Sequence, residues 1–513
     1  MTAPSWSAGY VSDVAYTLGF YREMAPPLLD YACVSAGVAG LPARPLRYCE
    51  LGCGRGYGTA LLAAANPDGH FVGIDFNPAH IREARATAER AGIGNVDFLE
   101  QGFGEAAATQ GEPYDVVALH GVYSWVAPQV REDIHAFLRN RLAPGGVAYV
   151  SYNALPGWAA SAPVQHLLKE LADRGRGDTL ARAAAGREVL KVLAGSAAGF
   201  FAQTPAARRR IEMMDGQNPV YVAHEFLNGN WQPLYVTQAM AALGEAKLTY
   251  VASATIGENR AALCVPADAA APVRAAPDVA TRELLKDFAV NKQFRRDIYV
   301  KGPTRLYGRD AEARYGAVTL ALVSPPPEPR GDWPVPAGTA KLRPELVEAI
   351  LAALRQAPAR IADIREAARD LAPQGEEIAA VIDILIHNGV VAPCRGDFAS
   401  IDRTPAQRLN RVVTELAMLE DSHQFLASPV LGSAIAASYF DRLAGGRLAD
   451  SPQADGDGEA AAVLDLLRMA GKRLSRQGKA LEDAEETSSY VAAMAREFRS
   501  GSLPRWRRLG IWD

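Results

Sequence analysis

Glu50-Leu51-Gly52-Cys53-Gly54-Arg55-Gly56-Tyr57-Gly58 decides the fold, together with Asp75 at the close of a second apolar run, Phe71-Val72-Gly73-Ile74. The apolar lead-in from Leu46 to Leu51 reads as a strand. The glycines read as a tight turn that lets backbone approach a ligand with no Cβ in the way. Thr59 to Ala65 then reads as a helix. Strand, glycine turn and helix in that order open a nucleoside-binding α/β unit.

The spacing says which nucleoside. A dinucleotide fingerprint needs G-x-G-x-x-G so that a pyrophosphate rests on the helix N-terminus. Here Gly52, Gly54, Gly56 and Gly58 alternate, and Tyr57 stands where the third glycine belongs. Glu50, just before the turn, repels phosphates but suits a ligand bearing an ammonium. S-adenosylmethionine has that character, with a cationic sulfonium and an amino acid end. Asp75 is placed to accept hydrogen bonds from both ribose hydroxyls, and Phe76 offers the adenine an apolar face.

Working outward, residues 45 to about 155 alternate strands with helices, which argues for a parallel sheet with crossover helices and a ligand beyond the strands' carboxyl ends. Residues 1 to about 44 read as a helical lead-in with Tyr10, Tyr16, Phe20 and Tyr21 on one aromatic face. Residues 160–240 are Ala- and Arg-rich with helical periodicity and read as an insertion suited to dimerisation or substrate capture. Lys247–Ser253 and Ala261–Val265 are expected to be the last two strands. Proline-rich linkers follow at 266–277 and 323–340. Between 341 and 394 three helices and a short strand resemble a winged helix, but Glu376–His387 lacks the basic side chains a DNA-reading helix needs. Residues 401–513 read as helical apart from the acidic loop 451–458. The domains expected are therefore 1–265, 278–400 and 401–513.

The chain has 513 residues and a formal net charge of −4, so no global basic field favours nucleic acid. Its five cysteines form no C-x-x-C pair, which fits a reducing compartment. With no apolar run of membrane-spanning length and no signal-like N-terminus, a cytoplasmic protein is expected. The eight histidines show no zinc spacing, and no metal is expected.

The runs E-L-G-C-G-R-G-Y-G-T, G-I-D-F-N-P, Y-D-V-V-A-L-H-G-V-Y-S-W-V and L-A-P-G-G-V-A-Y-V-S-Y-N resemble class I methyltransferases in order and spacing. The later segments His224-Glu225-Phe226-Leu227-Asn228, Trp231-Gln232-Pro233-Leu234-Tyr235, Asn291–Asp297 and Ser428–Ser433 resemble a bacterial subfamily with a C-terminal methyltransferase regulatory domain. That subfamily includes lysine methyltransferases acting on rickettsial outer-membrane proteins. The resemblance implies an α/β fold: a Rossmann-like class I sheet with a helical insertion, then mostly helical C-terminal domains with the regulatory domain in 278–400. It also implies an N-terminal lid over the methyl donor.

The cofactor contacts expected are Glu50, Gly52, Gly54, Gly56, Asp75, Phe76 and His120, with Gly102 and Phe103 replacing the acid that many class I enzymes place after the third strand. Methyl transfer demands alignment of a neutral nucleophile and exclusion of water. A lysine acceptor, with a reference pKa near 10.4, is neutral in only about one molecule per thousand at pH 7.4, a handicap of about 4 kcal/mol. Desolvation beside aromatic rings lowers that pKa. The catalytic candidates are Tyr123, Tyr152 and Asn153, which would orient the lone pair, and His120 as a base; Tyr16, Trp125 and Trp158 are expected to contact the acceptor. Protein lysine is the first-choice acceptor. The alternatives are a small-molecule O- or N-methyltransferase and a non-catalytic adaptor that binds S-adenosylmethionine.

Overall fold

A computed structural model describes residues 9–11, 13–14, 17–43, 45–196, 199–324, 331–450, 456–469, 471, 475–476, 479–481 and 483–512. Five apolar runs separated by crossover helices form parallel strands: β1 (Arg47–Leu51), β2 (His70–Asp75), β3 (Val96–Glu100), β4 (Tyr114–Leu119) and β5 (Leu142–Asn153). With β6 (Leu248–Ser253) and β7 (Phe294–Lys301) they make one seven-stranded sheet ordered β3-β2-β1-β4-β5-β7-β6. β7 runs antiparallel to both neighbours.

Successive strand residues point to opposite faces, so the sheet separates two cores. Tyr48, Phe71, Val116, Tyr149 and Ile298 pack on one side under α1 (Pro26–Ser35), α2 (Tyr57–Ala65) and α3 (Pro78–Ala91). Cys49, Ile74, Val117, Tyr152 and Tyr299 pack on the other, under α4 (Phe103–Ala108) and α5 (Pro128–Arg141).

The expected strand over Ala261–Val265 is instead a short helix, Ala261–Cys264, and β7 completes the sheet. Sheet structure thus continues past residue 265 into the segment expected to begin a separate domain. Arg295 and Asp297 hide β7 from a reading of hydrophobic pattern. Both are buried, and Arg295 is neutralised by Asp287 at 2.5 Å, Asp297 at 2.9 Å and Glu283 at 3.1 Å. A buried charge is tolerated when it is paired and hydrogen-bonded in this way.

The insertion is helical as expected: α6 (Ala162–Arg174), α7 (Thr179–Gly195), α8 (Gly199–Gln203), α9 (Pro205–Met214) and α10 (Pro219–Phe226) enclose their own core around Leu168, Leu190, Ile211 and Phe226. Helices Pro344–Leu354, Ile361–Ala367 and Glu376–His387 lie where the winged-helix pattern placed helices. Beside them Thr319–Leu322 pairs antiparallel with both Ala359–Arg360 and Val391–Cys394. The C-terminal segment is not helical throughout. A hairpin, Phe425–Ser428 with Ser433–Ala436, interrupts it. Of the loop expected at 451–458, residues from Gly456 onward begin a helix, and 451–455 lie outside the described residues. No helix among the described residues is long and apolar enough to cross a membrane.

Candidate active site

The glycine turn after β1 is pinned to β2. The Gly52 and Cys53 amides donate to the Ile74 carbonyl at 2.8 and 3.1 Å, and the Gly54 amide donates to Asp75 Oδ2 at 3.0 Å. Gly54 has φ +54° with no protein atom within 4 Å of where a Cβ would stand, so the turn leaves open space there. Gly56 differs. At φ +73°, its Cβ would come within 2.4 Å of Ala84 and 2.6 Å of Phe98, so it is glycine for the packing of α2 against α3 and β3. Its neighbours Gly54, Arg55, Tyr57 and Gly58 line the cleft described below, and Gly56 itself does not.

Two neighbouring cavities lie at the carboxyl edge of the sheet and share Gly52, Gly54 and His120 as lining. The larger, about 370 Å³, is walled by Asp75, Phe76, Gln101, Gly102, Phe103 and Val122. The smaller, about 70 Å³, is walled by Glu50, Tyr57, Gly58 and the chain from Thr17 to Tyr21. The N-terminal strap lies over both. Tyr10 packs edge-on to Phe76 at 5.9 Å, and Tyr21 stacks on His120 at 3.5 Å.

Both acids sit in the cleft with lone pairs available. Asp75 Oδ1 accepts from the Asn77 amide at 2.9 Å, and Asn77 in turn caps α3, its Oδ1 accepting from the Ala79 amide at 3.0 Å. The N-P pair that starts α3 therefore fixes the acid at the end of β2. Glu50 Oε2 accepts from the Thr59 hydroxyl at 2.5 Å. Burial pushes the Glu50 carboxyl up to about 7, against the Thr59 hydrogen bond and with the charge of Asp75 adding to the rise. A cationic group placed there would reverse the shift. Open space at Gly54, a desolvated acid at one end and an acid beside an aromatic ring at the other fit the amino acid, ribose and adenine parts of S-adenosylmethionine.

His120 ends up between rings. Its Nδ1 meets the Tyr149 hydroxyl at 2.8 Å, and the ring is stacked against Tyr21. Burial, with Arg296 nearby, drops its pKa to about 3. Burial thus favours the neutral imidazole and works against proton uptake at His120.

Strand parity decides the other candidates. Tyr152 points to the opposite face from Tyr149, is fully buried and donates to Asp297 Oδ2 at 2.6 Å. Tyr123 is buried in that same core, its hydroxyl 2.8 Å from His135 Nε2. Neither lines the cleft, so the expectation that they orient the acceptor is corrected. Trp158 is likewise part of the helical layer, packed on Phe226 and Trp231 with the Arg210 guanidinium 4.2 Å above its ring. Trp125 does reach the cleft, but on the wall with Gly102, Phe103 and Val130, away from the Glu50 end. Asn153 shares the face of Tyr149; its amide donates to Ser124 Oγ at 2.9 Å and its side chain reaches Glu225 Oε1 at 3.4 Å. Tyr16 lies outside the described residues.

The sequence reading overlooked several groups. Glu105 and Asp133 bring carboxylates to the wall near Gly102, where no acid was found in the usual register, because Asp133 comes from α5 rather than the loop after β3. Tyr57 joins the cleft to the C-terminal hairpin: its hydroxyl donates to the Phe425 carbonyl at 2.6 Å and accepts from the Phe425 amide at 3.0 Å. Glu225 was noted only as part of a motif.

Two family profiles match the chain: "Methyltransferase domain" over residues 49–148 and "Predicted methyltransferase regulatory domain" over 218–301. The second includes α10, β6 and β7 and overlaps the region 278–400, where that domain was expected, only at its end. The uncharacterized protein sll1526 of Synechocystis is 32% identical over 512 residues, covering 99% of this chain and 100% of the relative. Trans-aconitate 2-methyltransferase of Streptomyces coelicolor is 34% identical over 176 residues, 34% of this chain and 52% of that enzyme. Among solved structures, PKMT2 from Rickettsia typhi in complex with AdoHcy superposes with a TM-score of 0.72 at 19% identity, covering 97% of this chain and 99% of that one.

Proposed function

Because this chain belongs to the class I S-adenosylmethionine-dependent methyltransferases that carry a methyltransferase regulatory domain, we propose that it methylates the side-chain amine of lysine in a protein. When bound, S-adenosylmethionine supplies a methyl group already activated by its sulfonium. In this reading Asp75 accepts the ribose hydroxyls, Phe76 and Phe103 cover the adenine, and Glu50 holds the ammonium of the amino acid end. The strap carrying Tyr10 and Tyr21 excludes water.

The observation that speaks against a hydroxyl acceptor is the placing of His120, hydrogen-bonded to Tyr149 and stacked on Tyr21. A neutral amine or an ionised carboxylate attacks without a base, whereas an alcohol or phenol needs one. The imidazole at the junction of the two cavities is a base of pKa about 3, hydrogen-bonded and stacked. The aromatic rings of Tyr21 and Tyr149 beside it can attract a cationic sulfonium through cation–π contact, worth about 0.5 to 2 kcal/mol each. The whole-chain likeness to PKMT2 supports a protein acceptor.

The test is transfer of tritium from methyl-labelled S-adenosylmethionine into acid-precipitable protein, followed by hydrolysis and identification of methyl-lysine. A second reading, a small-molecule acceptor, is favoured by the similarity to trans-aconitate 2-methyltransferase across the cofactor-binding half. Label confined to the acid-soluble fraction would select it. A chain that binds no S-adenosylmethionine in a calorimetric titration would be an adaptor.

A further inference from the structure

The wall of the smaller cavity is held from behind by the C-terminal segment. Tyr57 and Phe20 both line that cavity, and both are buried. The Tyr57 hydroxyl is engaged twice by the backbone of one residue, donating to the Phe425 carbonyl at 2.6 Å and accepting from the Phe425 amide at 3.0 Å. The Phe425 ring lies 5.6 Å from the ring of Phe20, and the ring of His423 stands edge-on to Tyr57 at 4.9 Å. Phe425 itself lines neither cavity. It meets two residues that do, one at the start of α2 and one on the strap.

The same hairpin grips the other end of α2. Asn66, which caps the helix, donates to the Gly432 carbonyl at 3.1 Å and to the carbonyl of Leu62, another residue of the cavity wall, at 2.8 Å. Gly432 has φ +57°, and a Cβ there would come within 2.8 Å of Asn66 Oδ1, so glycine is what permits the approach. The hairpin is in turn locked into the C-terminal segment. Asn410 Oδ1 accepts from the Ala427 amide at 2.8 Å, and its Nδ2 donates to the carbonyls of Ala427 at 3.0 Å and Ile511 at 3.1 Å. The Ser428 hydroxyl donates to the Leu509 carbonyl at 2.7 Å. Asn410 and Ser428 are fully buried, and close-packed contacts of this kind transmit displacement rather than absorb it. Any shift of the C-terminal segment therefore reaches Tyr57 and Phe20.

We propose that Phe425 is a positioning residue for the methyl donor: through Tyr57 and Phe20 the C-terminal hairpin sets the shape of the cavity at the Glu50 end, and so governs S-adenosylmethionine affinity without touching the cofactor. This assignment rests on the donor-site reading above and adds to it a role for residues 401–513, which lie outside both family profiles. Coupling of this kind is reciprocal, so donor binding tightens the hairpin by as much as the hairpin tightens donor binding.

The test is a calorimetric titration of S-adenosylhomocysteine into the full chain as wild type, Phe425→Ala and Phe425→Leu, with thermal unfolding of the ligand-free forms recorded beside it. The proposal expects about tenfold weaker binding by Phe425→Ala and partial recovery by Phe425→Leu. Phe20→Ala combined with Phe425→Ala should lose less than the product of the two single losses, because both rings act through one contact. Affinity of Phe425→Ala within about twofold of wild type, whatever its melting temperature, overturns the proposal. Amide hydrogen exchange of the wild type with and without S-adenosylhomocysteine gives a second reading that needs no variant to fold. Slower exchange across 425–436 on binding supports the proposal, and unchanged exchange there overturns it. Wild-type binding that is indifferent to Phe425 sinks this assignment alone, whereas no binding by the wild type sinks the donor-site reading with it.

Discussion

Asp75→Asn isolates the contact on which donor binding rests. The wild-type carboxylate is buried, with Oδ2 receiving the Gly54 amide at 3.0 Å and Oδ1 the Asn77 amide at 2.9 Å; His80 Nδ1 stands 3.4 Å from Oδ1, so Oδ2 is the oxygen with a lone pair to spare for a ribose hydroxyl. The amide side chain has the same shape but only one acceptor. Its NH₂ must face either the Gly54 or the Asn77 N–H, donor against donor. A hydrogen bond to a charged partner contributes about 1.5 to 3 kcal/mol, and the loss of one charge-assisted contact sets the scale. The expected result is an S-adenosylmethionine Kd raised by about 10- to 150-fold, since 1.4 kcal/mol is a factor of ten. Isothermal titration of both proteins measures it, with thermal unfolding of the ligand-free forms recording the separate cost to the glycine turn. A Kd within threefold of wild type would refute the assignment of Asp75 to the ribose.

Three further outcomes are expected. The raised Glu50 carboxyl gives the ligand-free protein a stabilising contribution that is full below about pH 4.5 and is lost as pH rises through about 7. Donor binding, which needs the carboxylate, should accordingly strengthen as pH rises from 5 to 7 with release of a proton, read by calorimetry in two buffers; a pH-independent affinity would remove Glu50 from the ammonium site. His120→Asn should keep methyl transfer within about tenfold of wild type with an unshifted pH–rate profile, whereas loss of a true general base costs about a hundredfold or more. The helical layer exposes Val189, Val192, Phe200 and Met213 on α7 to α9, so a homodimer through this layer is expected, and Val192→Glu with Met213→Glu should yield a monomer by light scattering.

The part of the fold written in local pattern was legible. The glycine turn, Asp75 and the alternation through β5 needed only hydrophobic periodicity and turn chemistry. β7 was missed because its inward Arg295 and Asp297 look like surface residues until Glu283 and Asp287, from a neighbouring helix, are brought against them. In the site, the cofactor end followed from adjacent residues, while the acceptor end depends on which way a strand residue faces. Alternation along Tyr149, Ser151 and Asn153 already puts Tyr152 on the far side of the sheet. The contact between Asn153 and Glu225, 72 residues apart, is a tertiary event that no local pattern carries.

A crystal structure of the full chain grown with S-adenosylhomocysteine tests the central claim most directly. The expected density has the ribose hydroxyls within hydrogen-bonding distance of Asp75, the adenine against Phe76, the amino group at the Glu50 end, and the sulfur near His120, which both cavities share. A ligand bound with its ribose away from Asp75, or anywhere outside these two cavities, would contradict the account.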